Sequence, residues 1–210
     1  MTSPFFSESD ISLPTSSLPI FPLPVLVVAS HNTGKLGEFQ TYLQPLATEV
    51  LAMPQDLDIP ETESTFLGNA ALKAKTVALA TQQWAIADDS GLEVRALAGA
   101  PGLYSARYGS TDQERIERLL RELAGQGDRS ARFVCVLALA NPAGEIVAHC
   151  EGECLGEILE APRGTAGFGY DPIFFVPSMG LSFAEMEPEM KQQVSHRGQA
   201  LQHFLAQMNP

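Results

Sequence analysis

The sequence predicts an α/β protein built on a mixed sheet. Two features of its patterning lead there. In the first half, aliphatic runs alternate with segments of helical period: "PVLVVAS" precedes "GKLGEFQTYL", and "STFLGNAALKAKTVALATQQ" precedes "WAIADD". In the second half, "ARFVCVLALANPAGEIVAHCEGECLGEIL" reads as long strands joined by a turn at "NPAGE". Hairpin-joined strands favour a mixed sheet over a purely parallel doubly wound one. No internal repeat is visible.

The elements follow in chain order. Residues 1–24 are rich in Ser, Thr and Pro and hold no Lys or Arg. A secretory signal needs a basic start and an unbroken apolar stretch, and a transit peptide is Arg-rich and poor in acids. The segment is therefore read as a flexible extension, and residues 25–210 as one domain. Val25–Ser30 is expected to be a strand. Gly34–Leu46 is expected to be a helix with Leu36, Phe39 and Leu43 on one side. The next helix takes Ser64 as its N-cap and Leu67, Ala70, Ala71, Ala74, Val77 and Ala78 as its apolar face. "WAIADD" and "LEVRAL" read as two further strands. "STDQERIERLLREL" is a helix with Ile116, Leu119, Leu120 and Leu123 at i, i+3, i+4, i+7, and Ser110 with Gln113 as a capping box. "PIFFVP" is a short strand. A last helix starting near Ser195 buries Leu201, Phe204, Leu205 and Met208.

With 210 residues the chain is long enough to bury a substantial core. A net charge of −12 argues against nonspecific binding to nucleic acid or anionic membrane. No apolar run reaches the ~18 residues of a membrane span. Cys135, Cys150 and Cys154 fit no zinc spacing, and a reduced, cytoplasmic setting is the simplest reading.

Five stretches carry chemistry. "VVASHNTGKLGEF" places Gly34 and Lys35 after a strand and at a helix start. It is not a Walker A loop, since Ala29 stands at the first glycine position and Leu36 follows the lysine. A strand, a short polar loop and a helix N-terminus still offer backbone N–H groups and a positive dipole end to an anion. An exposed lysine on a plain strand–turn–helix is the equal alternative. Asp88 and Asp89 end a strand and, as neighbours, point to opposite faces. One can hold Mg²⁺ or deprotonate water while the other braces the loop. Asp-Asp-Ser-Gly is also ordinary turn composition, which taken alone is favoured. Thr65, Asn69 and Lys73 share a helix face, preceded by Glu61, either as a solvated stripe or as an anion site. In "PRGTAGFGYDP", Phe168 and Tyr170 read as exposed-loop aromatics suited to stacking on a base, or else as core residues of a glycine-rich hairpin. "KQQVSHRGQAL" gathers Lys191, His196 and Arg197 at a helix start, where cations are unfavourable unless a ligand answers them. The combined inventory of cations, carboxylates and an aromatic loop suits a nucleoside triphosphate with Mg²⁺.

The stretches "ASHNTGKLGEF", "TFLGNAALKA", "ADDSGLEVRALAGAPGLYSARY", "PRGTAGFGYDPIF" and "KQQVSHRGQAL" resemble, in order, the signatures of the inosine/xanthosine triphosphate pyrophosphatase family. The resemblance runs from Val25 to about Met208. It implies a long mixed sheet forked into two lobes, with the active site in the central cleft. It also implies Mg²⁺-dependent hydrolysis of ITP, dITP and XTP to monophosphate and pyrophosphate, and a homodimer. By the same resemblance Ser30, His31, Asn32, Thr33, Gly34, Lys35 and Lys73 hold phosphates, with Asp89, Lys35 and Lys73 the catalytic set. Asp89 looks like the general base and a metal carboxylate, with Glu61 or its neighbour Glu63 as metal partner and Glu61 taken first. Ser90 looks like a substrate contact. Phe168, Gly169, Tyr170, Asp171, Lys191, His196 and Arg197 look like the base-recognition group, His196 and Arg197 donating to a 6-oxo oxygen. The family pattern often has Gly where Glu63 stands and Glu where Gly68 stands. A pyrophosphatase of modified or pyrimidine nucleotides and a catalytically silent nucleotide-binding regulator are the rival readings.

Overall fold

The structure is a computed structural model that describes residues 22–44 and 46–208. Most of the segment expected to be a flexible extension lies outside the described residues. Leu23 and Pro24, assigned to that extension, instead open the first strand.

Seven strands form one sheet in the order β2-β1-β3-β4-β5-β6-β7. They are β1 (Leu23–Val28), β2 (Ala47–Ala52), β3 (Trp84–Val94), β4 (Ser130–Ala140), β5 (Ile146–Ile158), β6 (Phe174–Val176) and β7 (Leu181–Ser182). β1 pairs parallel with β2 and β3, and every later pairing is antiparallel, so the sheet is mixed. The parallel part carries the helical crossovers α1 (Thr33–Leu43) and α2 (Phe66–Thr81). The remaining helices are α3 (Asp112–Glu122), α4 (Pro188–Val194) and α5 (His196–Met208). Among the described residues no helix is long and apolar enough to cross a membrane.

The register makes the fork. β3 and β4 pair along their whole length, Ala85 with Ala140 at one end and Val94 with Ala131 at the other. β1 reaches only the first residues of β3 and stops at Val28, opposite Ile86. β6 joins only the far end of β5, at Glu157 and Ile158. The long strands thus run through two lobes, one flanked by β1 and β2, the other by β6 and β7. Each lobe has its own core. Leu26, Phe39, Leu43, Leu137 and Phe204 pack between α1, α5 and one face of the sheet. Leu92, Ile116, Leu119, Phe174 and Phe183 fill the other lobe under α3. The small residues Ala70, Ala74, Ala78, Ala85, Ala87 and Ala138 let α2 lie close on the opposite face.

Local expectations shift in four places. "WAIADD" and "LEVRAL" are one strand up to Val94, and Arg95–Leu97 is a 3₁₀ turn. Gly91 does not turn the chain. A Cβ there would lie 2.4 Å from the Gly102 carbonyl oxygen, so the glycine admits a 3₁₀ turn at Gly102–Arg107 against the strand. The caps of α2 and α3 are Thr65 and Thr111, one residue after the expected Ser64 and Ser110. Leu205, expected to be buried, is only half-buried against the core.

Candidate active site

β1 ends opposite Ile86, so Asp88 and Asp89, two and three residues further along β3, stand where the sheet forks. Alternation sends their side chains to opposite faces.

On one face Asp88 is fully enclosed. Lys35 Nζ lies 2.8 Å from its Oδ2 and Arg197 Nη2 3.1 Å, and Ser90 Oγ donates to the same oxygen at 3.2 Å. Arg197 is itself buried and donates through Nη1 to Glu38 and through Nη2 to Ser90 Oγ. Burial alone would raise the Asp88 pKa, but the Lys35 and Arg197 charges outweigh it and hold the carboxyl far below its usual range. Asp88 is the bracing member of the pair.

On the other face Asp89 accepts from Asn69 Nδ2 at 3.0 Å and from Lys73 Nζ at 3.4 Å. Lys73 also donates to Glu61 Oε1 at 2.8 Å, so one ammonium stands between two carboxylates. The polar stripe of α2 is therefore not solvated: Asn69 and Lys73 are buried and aimed at β3. Burial and the nearby Glu61 charge raise the Asp89 pKa against the lowering pull of Lys73. A buried carboxylate with a raised pKa is a better proton acceptor than an ordinary aspartate.

Glu61, not Glu63, faces this group. The backbone N–H of Glu63 donates to Asn69 Oδ1, and its Cβ lies 2.8 Å from where a Gly68 Cβ would be. The two departures from the family pattern are thus one adjustment in space: Gly68 leaves the room that Glu63 occupies.

A cavity of about 140 Å³ joins these groups to the glycine-rich loop. Asn32, Lys35, Glu61, Asp89, Ser90, Phe168, Gly169, Tyr170, Asp171, Lys191, His196 and Arg197 all line it. A larger cavity of about 420 Å³ lies on the other side, sharing Phe168, Lys191 and Arg197 as its wall and lined also by Gly34 and Glu38. A Cβ on Gly34 would sit 2.9 Å from the Phe168 ring, so glycine lets the ring rest on the first turn of α1. Lys191 Nζ lies 5.0 Å from the centre of that ring and 2.7 Å from Asp171 Oδ2.

Several expectations change here. Tyr170 is not an exposed stacking ring. It is 3 % exposed and donates its hydroxyl to the Ser105 carbonyl at 2.9 Å. Gly169 gives its N–H to Asp112 Oδ2 at 2.7 Å. Arg197 spends its guanidinium on Asp88, Glu38 and Ser90, so it stands in the wall as an anchor of Asp88 and not as an uncommitted donor. His196 is buried and stacks on Phe133 with centroids 4.6 Å apart. Its Nδ1 has no hydrogen-bond partner among the described residues. Burial and the Arg197 and Lys191 charges hold its pKa well below 6.5, so the ring is neutral at pH 7. In the loop before α1, Asn32 caps the helix by accepting from Lys35 N at 3.0 Å, while His31 turns to the Pro54 carbonyl. Ser30 accepts from Asn32 N, and Thr33 is exposed. Of the residues Ser30 to Lys35, Asn32 and Lys35 alone line the smaller cavity.

Two cations escaped the sequence reading. Arg107 is half-exposed beside Glu61, with Nη2 3.7 Å from Oε2, and Arg115 lines the smaller cavity from α3. The spacing of "YSARY" gave no hint that its arginine returns to the carboxylates.

The Ham1 family pattern matches residues 26–207, which includes every group just described. The chain belongs to the Ham1 family. It is 59 % identical over 194 residues to the dITP/XTP pyrophosphatase of Thermosynechococcus vestitus, covering 90 % of this chain and 100 % of that protein. It is 57 % identical to the dITP/XTP pyrophosphatase of a Nostoc species over 88 % of this chain and 94 % of the relative. The Ham1 protein of Staphylococcus aureus superimposes with a TM-score of 0.79 at 41 % identity, covering 88 % of this chain and 97 % of that one. The Coxiella burnetii HAM1 protein gives 0.79 at 45 % identity, with 89 % and 98 % covered. The forked mixed sheet is the Ham1 fold.

Proposed function

We propose that this chain hydrolyses inosine- and xanthosine-type purine nucleoside triphosphates to the monophosphate and pyrophosphate, clearing aberrant nucleotides from the pool. The observation that carries this reading is Asp89, a buried carboxylate whose pKa is raised, set between Lys73, Asn69 and Glu61 on a cavity wall that also holds Lys35 and Phe168. The names of the relatives support the substrate class.

Asp89 takes a proton from water, and the water oxygen adds to the α-phosphorus as its bond to the bridging oxygen breaks. Lys35 and Lys73 offset the charge of the chain of phosphates. Two carboxylates, Glu61 and Asp89, form an oxygen donor set that fits Mg²⁺, which is commonly held by one or two carboxylates together with substrate phosphates. When bound, Mg²⁺ supplies charge neutralisation at the phosphates.

The base rests against Phe168. With Arg197 committed to Asp88, the side-chain donors for a 6-oxo oxygen are Lys191 and the neutral ring of His196. Adenine presents an amine there and leaves donors facing donors, at about 1–3 kcal/mol for each buried unpaired group. Three free thiols fit a cytoplasmic setting, and a homodimer completes the reading.

Pyrophosphate release should be measured with ITP, XTP, GTP and ATP at matched Mg²⁺, for the parent protein and Lys191→Met. Preference for ITP and XTP, reduced in the variant, is the expected result. Release of orthophosphate, or equal efficiency on ITP and ATP, would overturn the proposal.

A further inference from the structure

The loop that carries Phe168 is held at its flanks, where the Ala166 N–H donates to the Ala184 carbonyl at 3.2 Å and Tyr170 is buried. Gly164, Gly167 and Gly169 all have positive φ, at +79°, +77° and +63°, and nothing lies within 4 Å of where a Gly169 Cβ would be. Between the Phe168 ring on Gly34 and the buried Tyr170, the two peptide N–H groups are taken by carboxylates. The Phe168 N–H donates to Asp171 Oδ2 at 2.8 Å from within the loop. The next N–H, that of Gly169, donates to Asp112 Oδ2 at 2.7 Å, a contact across 57 residues of chain. Asp112 is the first residue of α3, in the lobe away from α1. Its other oxygen is taken by Arg115 Nη1 one turn on, and Arg115 Nε donates to the Gly109 carbonyl at 3.1 Å. The carboxylate is thereby oriented, with one oxygen turned to Arg115 and one to the loop.

We infer that Asp112, oriented by Arg115, is a positioning residue for base recognition. It pins Gly169 from the α3 lobe and so sets the pose in which Phe168 lies across Gly34 and Lys191. This rests on the reading that Phe168 receives the base. Asp112 acts on the base and not on the phosphates, since Asn32, Lys35 and Lys73 are held by other partners. Its loss weakens what the loop grips and leaves the chemistry at Asp89 in place.

The test uses the full chain and three readouts. For Asp112→Ala, KM for ITP should rise about tenfold, the size expected for one hydrogen bond to a charged group that is partly open to solvent, with kcat nearly unchanged. Competitive inhibition by IMP should weaken by the same factor, while inhibition by inorganic tripolyphosphate, which has no base, should stay as it was. In a Phe168→Ala background, Asp112→Ala should have almost no further effect on KM. Glu114→Gln controls for damage to α3, because Glu114 is another first-turn acid of that helix and its carboxylate accepts from the Ser110 N–H, away from the Phe168 loop. It should leave KM unchanged. Equal loss of IMP and tripolyphosphate binding, a fall in kcat without a rise in KM, or additive effects of the two substitutions would overturn the inference. A parent protein that releases no pyrophosphate from ITP would instead sink the functional reading beneath it.

Discussion

Asp88 and Asp89 are neighbours in one strand, both buried, and physically unlike. Asp88 is surrounded by Lys35, Arg197 and Ser90, and its charge is fixed. Asp89 has one cation, shared with Glu61, and an amide, and its proton affinity is raised. Burial acts on both in the same direction; the count of cations around each decides the outcome. The difference teaches that a strand can assign structure to one residue and chemistry to the next simply by alternation. The first uses the helices α1 and α5, the second uses α2.

The sharpest way to break this comparison is to exchange the effects. Asp89→Asn should lower kcat by about 10²–10⁴ with the melting temperature nearly unchanged, as for removal of a general base. Asp88→Ala should do the opposite first. It strands Lys35 and Arg197 without their shared counter-charge, a loss of about 3–5 kcal/mol and roughly 10 °C of melting temperature for a chain of this size. Thermal unfolding and pyrophosphate release on both variants check the pair. A stable Asp88→Ala protein, or an active Asp89→Asn one, would end the distinction.

Lys35 sharpens it further, because it touches Asp88 and also lines the cavity. Lys35→Ala should weaken triphosphate binding far more than nucleoside binding in calorimetric titrations. Equal losses would make it a brace only.

A smaller effect is expected in the pH profile. As the proposed general base Asp89 must be ionised to act, so kcat/KM should fall as pH drops through its pKa, which lies above that of an ordinary aspartate. The Glu61 charge raises that pKa and the Lys73 charge lowers it. The acid limb of surviving activity should therefore move down in Glu61→Gln and up in Lys73→Gln.

The smallest effect concerns His196. Its pKa is depressed in the fold, so between that value and about 6.5 the unfolded chain binds the extra proton and stability rises with pH. Melting temperatures from pH 5 to 7.5 should climb in the parent protein, and the climb should be shallower in His196→Gln.

Much of this was legible in the chain. The α2 helix, the long β4–β5 hairpin and α5 announce themselves by period and length. β2 did not, because it is an edge strand with mostly exposed side chains and no alternation to read. α4 is seven residues long and buries none of them, so it carries no periodic stripe. The paired aspartates and the lysines could be named as candidates, but "DDSG" looked like a turn because composition cannot reveal that Gly91 serves a passing carbonyl. Tyr170 read as exposed for the same reason: glycines on both sides suggest a loop tip, while the Ser105 carbonyl that draws the ring inward comes from 65 residues away. Asp112 and Arg107 were silent because their partners are distant in sequence and ordinary in kind.

The placement of Lys73 between Glu61 and Asp89 has a consequence for handling the protein. The single ammonium offsets part of the charge of the two carboxylates, so their approach to one another does not wait on a divalent cation. On the proposed use of a divalent cation, a chelator should silence such a protein and leave it folded, and the silence should lift when cation and triphosphate are returned together.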